Sequence, residues 1–502
     1  MTLDASRLAG AWAPLAGAVR RRLVPWRLRW TPELGDGTFY ALAATFAGVT
    51  AAVSTLPLYR VWGQYAVGPY LGAALVSLVL WRWRLTRARR AGVATAVAAV
   101  PGTPAAEGLA GIDVLDDDAL GIDALDDGAR ATSRVPSRSD RRFRAARVWV
   151  LAGVLVGATL VPLAVEVAQR GNGQTAIRAQ PEVTVIQQAG TRLAHGKDPY
   201  HALVRDHHLV SAVRGEPAFE SFFPYLPLMA VFGLPHSTHQ PVHLTDARIF
   251  FSIVTMAVAG LALGLSGAPR GRRLRALQVV AVLPTAALPL ATGGDDMPVV
   301  ALLLLAMVLA QRRRPGWSGI VFGIVSAMKF TAWPMAALAL FAARGRDGRR
   351  APGWMLAGMA VVAGPVLAPF AASNLGAFFS NVILFPLGLS GVASPAASNL
   401  PGHLLVLTFP WLHRALPFAV AVVGGAYLVR RLVRRPPATA STVAYLTGWV
   451  MLVALAFAPA TRVGYLLYPA NFFIWGWMFA VEDRQAAVVP PASVPLEELV
   501  PV

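Results

Sequence analysis

The residues of this chain that can do chemistry sit in two settings, a long polar loop and the turns of otherwise apolar segments. In the loop 167–221 the stretch PEVTVIQQAGTRLAHGKDPY carries Glu182, Asp198 and Tyr200. An ionised carboxylate there can accept a proton from a hydroxyl. Tyr200 can either stack on a sugar ring or anchor at the membrane interface, where aromatic side chains collect. In the apolar segments stand Asp295 and Asp296, within GGDD, and Lys329, within SAMKF. A charge at the centre of a membrane helix costs about 2.5–3.5 kcal/mol on insertion scales, so each of these asks for a reason. A buried ammonium needs an anion, and the one a site open to lipid offers is a phosphate. The alternatives are that the aspartate turn emerges into water and that Lys329 snorkels to an interface.

The elements that must hold these groups follow from spacing. Val183, Ile186, Gly190 and Leu193 recur at helical intervals, which predicts an amphipathic helix over 181–194 lying on the membrane surface. Pro181 suits its first position, and Glu182 falls in the first turn, where the helix dipole favours a carboxylate. An ordinary helix-start glutamate has the same signature. Gly196 ends the helix and Pro199 turns the chain, presenting Lys197, Asp198 and Tyr200. His207, His208, His236, His239 and His243 match no zinc-ligand spacing and read as loop histidines, so no metal and no cofactor is called for.

Composition sets the class. Hydrophobic residues make up 56% of the chain and charged residues 14%, and the mean hydropathy is +0.53. That is an all-α polytopic membrane protein. Apolar runs such as 38–56, 65–82, 147–166, 247–267, 355–373, 411–429, 439–458 and 463–481 are long enough for helices crossing about 30 Å of hydrocarbon. The net charge of +19 does not indicate nucleic acid. Its arginines cluster between spans, at 20–22, 82–90, 141–147, 270–275, 312–314, 344–350 and 430–435, and mark one cytoplasmic face. The loop 167–221 and the stretch 374–410 then lie outside. No cysteine is present, so the redox compartment is left open.

Four parts follow along the chain. Residues 1–91 form a cytoplasmic arm and a two-helix membrane module, with an N-terminus unlike a cleaved signal peptide. Residues 92–145 form a disordered linker whose GIDVLDDDAL and GIDALDDGAR lack the glycine and final glutamate of a calcium loop. The body is 146–482 and the tail 483–502. Within the body, 276–310 and 317–342 are flanked by arginines on both sides, which makes each a hairpin with its turn, GGDD or Lys329, pointing outward. Parity then requires 223–235 to be re-entrant or tilted.

Taken in order, PEVTVIQQAGTRLAHGKDPY, FFPYLP, TGGDDMPVVALLLLAM, SAMKFTAWP and SPAASNLPGHLL resemble glycosyltransferase family 87 of the GT-C superfamily, polyprenyl-phosphate-sugar-dependent mannosyltransferases. The resemblance covers roughly residues 147–482. It implies a GT-C-like bundle of about 12–13 transmembrane helices with outer juxtamembrane helices, in the plasma membrane, with the active site on the extracytoplasmic side. It implies Glu182 as catalytic base, at a position where the family more often has aspartate, and Asp198 is the alternative. The donor is a polyprenyl-phosphate sugar, its phosphate near Lys329 with help from Arg192 or Arg205. The acceptor is a glycolipid or glycan of the cell envelope. Asp295 and Asp296 would hold sugar hydroxyls or a helper ion, and Asn399 and His403 would line the acceptor side. Transfer would proceed by direct displacement with inversion. The bilayer is the remaining partner, and nucleic acid is not one.

Two other functions fit the same residues. A lipid-linked sugar transporter or flippase would also use paired intramembrane acids and a buried lysine, and would consume no donor. A noncatalytic assembly protein would recruit envelope machinery through residues 1–145.

Overall fold

The chain is described here by a computed structural model covering residues 31–98, 138–173, 178–200, 204–205, 208–209, 218–238, 240–386, 390, 392 and 396–488. The expected N-terminal arm, the Asp-rich repeat, His207, His239 and the end of the tail lie outside the described residues, as do the side chains of Arg205 and His208. The described residues are helical almost throughout, apart from a short antiparallel ladder in which Val204 pairs with Leu209 and Arg205 with His208. Two compact units are present, Met1–Gly48 with Ala66–Val154, and Val49–Tyr65 with Leu155–Val502.

The first unit draws on α1 (Pro32–Val53), α2 (Pro57–Ala98) and α3 (Arg138–Leu155). The helices α2 and α3 run into the expected linker from both sides, and α3 adds a third helix to the expected pair. Charges near the helix ends are paired. Arg84 Nη1 donates to both Glu33 oxygens at 3.0 and 3.1 Å, and the Arg147 guanidinium grips Asp36. A charge in a low-dielectric setting persists only when paired in this way.

In the second unit a π-helical turn, Val156–Leu160, leads into α4 (Val161–Gly171), followed by α5 (Pro181–Ala194) and a 3-10 helix, Pro227–Ser237. The 3-10 helix has 11 residues. At about 2.0 Å per residue it is too short to cross about 30 Å of hydrocarbon. Next come α6 (Ala247–Leu265), then α7 (Arg270–Ala281) and α8 (Pro284–Thr292), which meet at a bend of 45°. The helices α9 (Asp296–Gln311), α10 (Pro315–Ser326) and α11 (Trp333–Asp347) complete the two hairpins. The remaining helices are α12 (Ala351–Ser373), α13 (Pro401–Thr408), α14 (Leu412–Arg434), α15 (Ala440–Phe457) and α16 (Leu467–Val488). Proline opens α5, α8, α10 and α13, where its missing N–H is one the helix start would leave unpaired anyway.

The all-α polytopic class expected from the sequence stands. Among the described residues six helices are long and apolar enough to cross a membrane, seven if the bent α7–α8 pair is one span. Of the segments expected to complete the 12–13, Asp296–Gln311 and Pro315–Ser326 are shorter apolar helices. The core is built around α9, whose residues from Asp296 to Val308 are all buried. MPVVALLLLAMV is apolar on every side, and such a helix must be surrounded. Where α10 meets α12, the positions of Gly319 and Gly323 leave no room for a Cβ, which would fall 2.1 and 2.7 Å from the carbonyl oxygens of Met355 and Met359. Small residues four apart let two backbones touch in this way. By contrast α14 has no buried residue, so its apolar side chains face lipid or a partner.

Candidate active site

The helix over 181–194 forms with the ends expected from its sequence. Its apolar face, however, is covered by protein rather than turned to a membrane surface. Val183, Ile186 and Gly190 are buried, and a Cβ at Gly190 would lie 2.2 Å from the backbone of Gly233 in the 3-10 helix. At the start of α5, the Gln180 amide donates to the Thr292 carbonyl at 2.8 Å and its carboxamide nitrogen to Thr292 Oγ1 at 2.8 Å. Val183 rests on Gly293, whose φ of +128° and contact with Val183 Cγ2 exclude a side chain. Further along, Gln187 accepts from Arg170 at 2.7 Å, and Arg170 also donates to Asp246 at 2.8 Å. Glu182 is therefore fixed over the GGDD turn by a rigid, many-sided mount.

The two hairpin turns meet. Lys329 Nζ donates to Asp295 Oδ2 at 2.7 Å and to Asp296 Oδ1 at 2.6 Å. Tyr468 donates a short hydrogen bond to Asp296, and Thr331 Oγ1 donates to Tyr468 Oη at 2.8 Å. The rings of Tyr225 and Tyr465 stand 5.2 and 5.7 Å from the ammonium, within cation–π range. FFPYLP and the leucine that follows it hold the lysine turn in place, since the Leu226 and Leu228 amides donate to the carbonyls of Met328 and Ala327, each at 3.0 Å. The anion that accompanies Lys329 is thus the aspartate pair, both members of which are buried.

Glu182 and Lys329 line one cavity of about 230 Å³, together with Arg462, Tyr225 and Tyr465. Phe222, Phe385 and Leu455 form an apolar wall. Arg462 Nη1 lies 2.6 Å from Glu182 Oε1, while Glu182 Oε2, although buried, has no hydrogen-bond partner among the described residues. Burial works against the charge of Arg462, but the Glu182 carboxylate and the tyrosines Tyr465, Tyr59 and Tyr225 more than offset it and hold the guanidinium firmly protonated. Arg462 owes its position to a parallel bridge between Ala397 and Thr461, in which the Ser398 amide donates to the Thr461 carbonyl at 2.9 Å. Val463 donates back to Ser398 Oγ at 3.0 Å.

The other sequence-derived residues lie apart from this cavity's lining. Asp198 organises its own turn: Oδ1 accepts from the Tyr200 amide at 2.9 Å, Oδ2 from Ser373 at 3.1 Å, and its carbonyl from Arg192 Nε at 3.0 Å. Tyr200 is buried among Phe223, Phe370 and Phe378 and donates its hydroxyl to the Tyr225 carbonyl at 2.8 Å, so its ring is a packing element. Asp295 and Asp296 lie behind Lys329. Asn399 is exposed, and His403 Nδ1 bonds the Pro459 carbonyl at 2.9 Å. Among the described residues no three His, Cys, Asp or Glu side chains are grouped as metal ligands. Sequence reasoning singled out FFPYLP, which holds Tyr225, but missed Arg462, Tyr465 and Tyr468. Arg462 had a signal: it stands in a short turn between two spans, on the side opposite the arginine clusters.

Residues 223–459, just under half of the chain, match the family model for glycosyltransferase family 87. The match takes in GGDD, Lys329, Asn399 and His403, whereas Glu182, Asp198, Tyr200 and Arg462 lie outside it. No curated protein and no solved structure matches the chain. Over residues 223–459 the chain is therefore similar to glycosyltransferase family 87, and its apolar helices make it a multi-pass membrane protein.

Proposed function

We propose that this protein moves a sugar, mannose, from a polyprenyl-phosphate donor to a hydroxyl of an envelope glycolipid or glycan on the outer face of the plasma membrane, with inversion. The observation that carries this is the pairing of Glu182 and Arg462 in one cavity beside an apolar wall. A proton acceptor and a fixed cation are what displacement of a phosphate by an alcohol requires. The isoprenoid lies along Phe222, Phe385 and Leu455, and the phosphate meets Arg462. Arg462 is better suited to that role than Lys329, which already faces two carboxylates, and its planar fork suits a phosphate.

The acceptor oxygen attacks the anomeric carbon as the bond from that carbon to the phosphate oxygen breaks. The hydroxyl proton passes to Glu182, and polyprenyl phosphate leaves with its new negative charge against Arg462. No covalent intermediate is needed, and a β-linked donor gives an α-glycoside. Asp295 and Asp296 keep Lys329 charged and in place beside the cavity, Asp198 shapes the turn after α5, Ser398 and His403 support the Arg462 turn, and Asn399 faces the acceptor side. In membranes given polyprenyl-phosphate mannose labelled in the sugar, label should pass to an acceptor with release of an equal amount of polyprenyl phosphate. A donor moved across the membrane intact would replace this with the flippase reading.

A further inference from the structure

A second groove, of about 480 Å³, adjoins the cavity just described and shares Val185 and Phe222 with it. One stripe of α5 runs through both. Glu182 and Val185 line the first cavity, and Val185, Ala189 and Arg192 line the second. These positions are three or four residues apart and so lie on one side of the helix. The remaining walls are polar and aromatic: Gln188, Glu220, Ser221 and His236, with the rings of Phe222 and Phe223. Two of these groups carry buried polar atoms with no hydrogen-bond partner among the described residues, Ser221 Oγ and His236 Nδ1. An orphaned buried polar atom is costly, by about 1–3 kcal/mol, and two of them at one groove ask for a polar occupant.

We infer that this groove binds the glycan part of the acceptor, an oligosaccharide of more than one sugar unit that runs along α5 and delivers its terminal hydroxyl to Glu182. This rests on the transferase function proposed above. The ten residue steps from Glu182 to Arg192 rise by about 15 Å, too far for a single sugar to bridge. Hydroxyl-rich ligands are held by this mixture of carboxamide, guanidinium, carboxylate, hydroxyl and aromatic faces, in which each polar group fixes one hydroxyl and the rings cover the apolar face of a sugar. Phe222 stands where the two spaces join, so it separates the acceptor from the donor except at the reacting hydroxyl. Donor and acceptor therefore approach Glu182 from opposite ends of one helical stripe.

The test is binding to the full-length protein in nanodiscs, read by calorimetry with octyl mannoside, octyl mannobioside and free mannobiose as probes. The groove predicts that the mannobioside binds more tightly than the mannoside. It predicts that Gln188→Leu combined with Ser221→Ala weakens mannobioside binding at least tenfold. Ala189→Leu, which fills the groove and removes no polar group, should do the same. Equal binding of free and octyl-linked mannobiose identifies the glycan alone as the ligand, and a preference for the octyl form identifies a lipid-borne glycan; either supports the groove. Mannobioside binding that is absent, or that all three substitutions leave unchanged, overturns it. Donor consumption by the unmodified protein is measured separately. Groove binding without donor consumption contradicts the transferase function alone, and donor consumption without groove binding contradicts the groove alone.

Discussion

Glu182 Oε1 lies 2.6 Å from Arg462 Nη1, a contact between the first turn of α5 and the short turn before α16. The two residues come from opposite ends of the second unit, and each is held by its own set of backbone and side-chain bonds. Their meeting puts a proton acceptor beside a cation at the edge of an apolar-walled space. Neither residue could do the proposed chemistry alone.

Replacing Arg462 should therefore act on the donor. Arg462→Met is expected to raise the donor KM at least tenfold and to lower kcat as well, because the guanidinium is proposed to meet the phosphate both when it binds and when it leaves. Arg462→Lys should recover only part of the loss, since a point charge cannot reproduce the two-pronged contact. Initial rates at varied donor concentration check this. An unchanged donor KM in Arg462→Met would remove the phosphate role.

Lys329 should behave as a structural counter-ion first. Lys329→Met strands two buried carboxylates, and breaking a buried pair costs about 3–5 kcal/mol. A clear fall in thermal midpoint in detergent is expected, together with lost activity. Asp295→Asn, which leaves the ion pair with Asp296 in place, should cost less. If Lys329→Met had the stability of the unmodified protein and only a raised donor KM, the lysine would instead be the phosphate ligand.

Gly190→Ala and Gly233→Ala should each lower both stability and activity. A Cβ at either position meets the facing backbone, at 2.2 Å for Gly190 and 2.0 Å for Gly233, so the helix carrying Glu182 must lift. Protease resistance of the loops flanking α5 and transfer rate should fall together. A stable, fully active Gly190→Ala protein would mean that the seat of α5 does not matter for catalysis.

Much of this was legible in the sequence because it is local. Pro181, the Val183–Ile186–Gly190 spacing and Gly196 fix the ends of α5, and charges interrupting apolar runs mark both hairpin turns. What could not be read is what those turns touch. That Lys329 reaches Asp295 and Asp296, and that Arg462 reaches Glu182, depends on packing between distant segments, which periodicity does not encode. The apolar face of α5 has the same pattern whether lipid or protein covers it, and only the closeness of Gly190 to Gly233 decides for protein. Tyr200 follows the same logic: an aromatic after Asp-Pro suits a ligand or a core, and its neighbours Phe223, Phe370 and Phe378 make it core.

The most direct measurement is sugar transfer by Glu182→Gln protein in membranes supplied with labelled polyprenyl-phosphate mannose, beside Glu182→Asp and the unmodified chain. A general base contributes about 10²–10⁴-fold, so Glu182→Gln should lose at least a hundredfold in product formation while still binding donor, and Glu182→Asp should keep a measurable part of the activity. Product formed by Glu182→Gln at the unmodified rate would show that the proton goes elsewhere, and the central role given to Glu182 would be wrong.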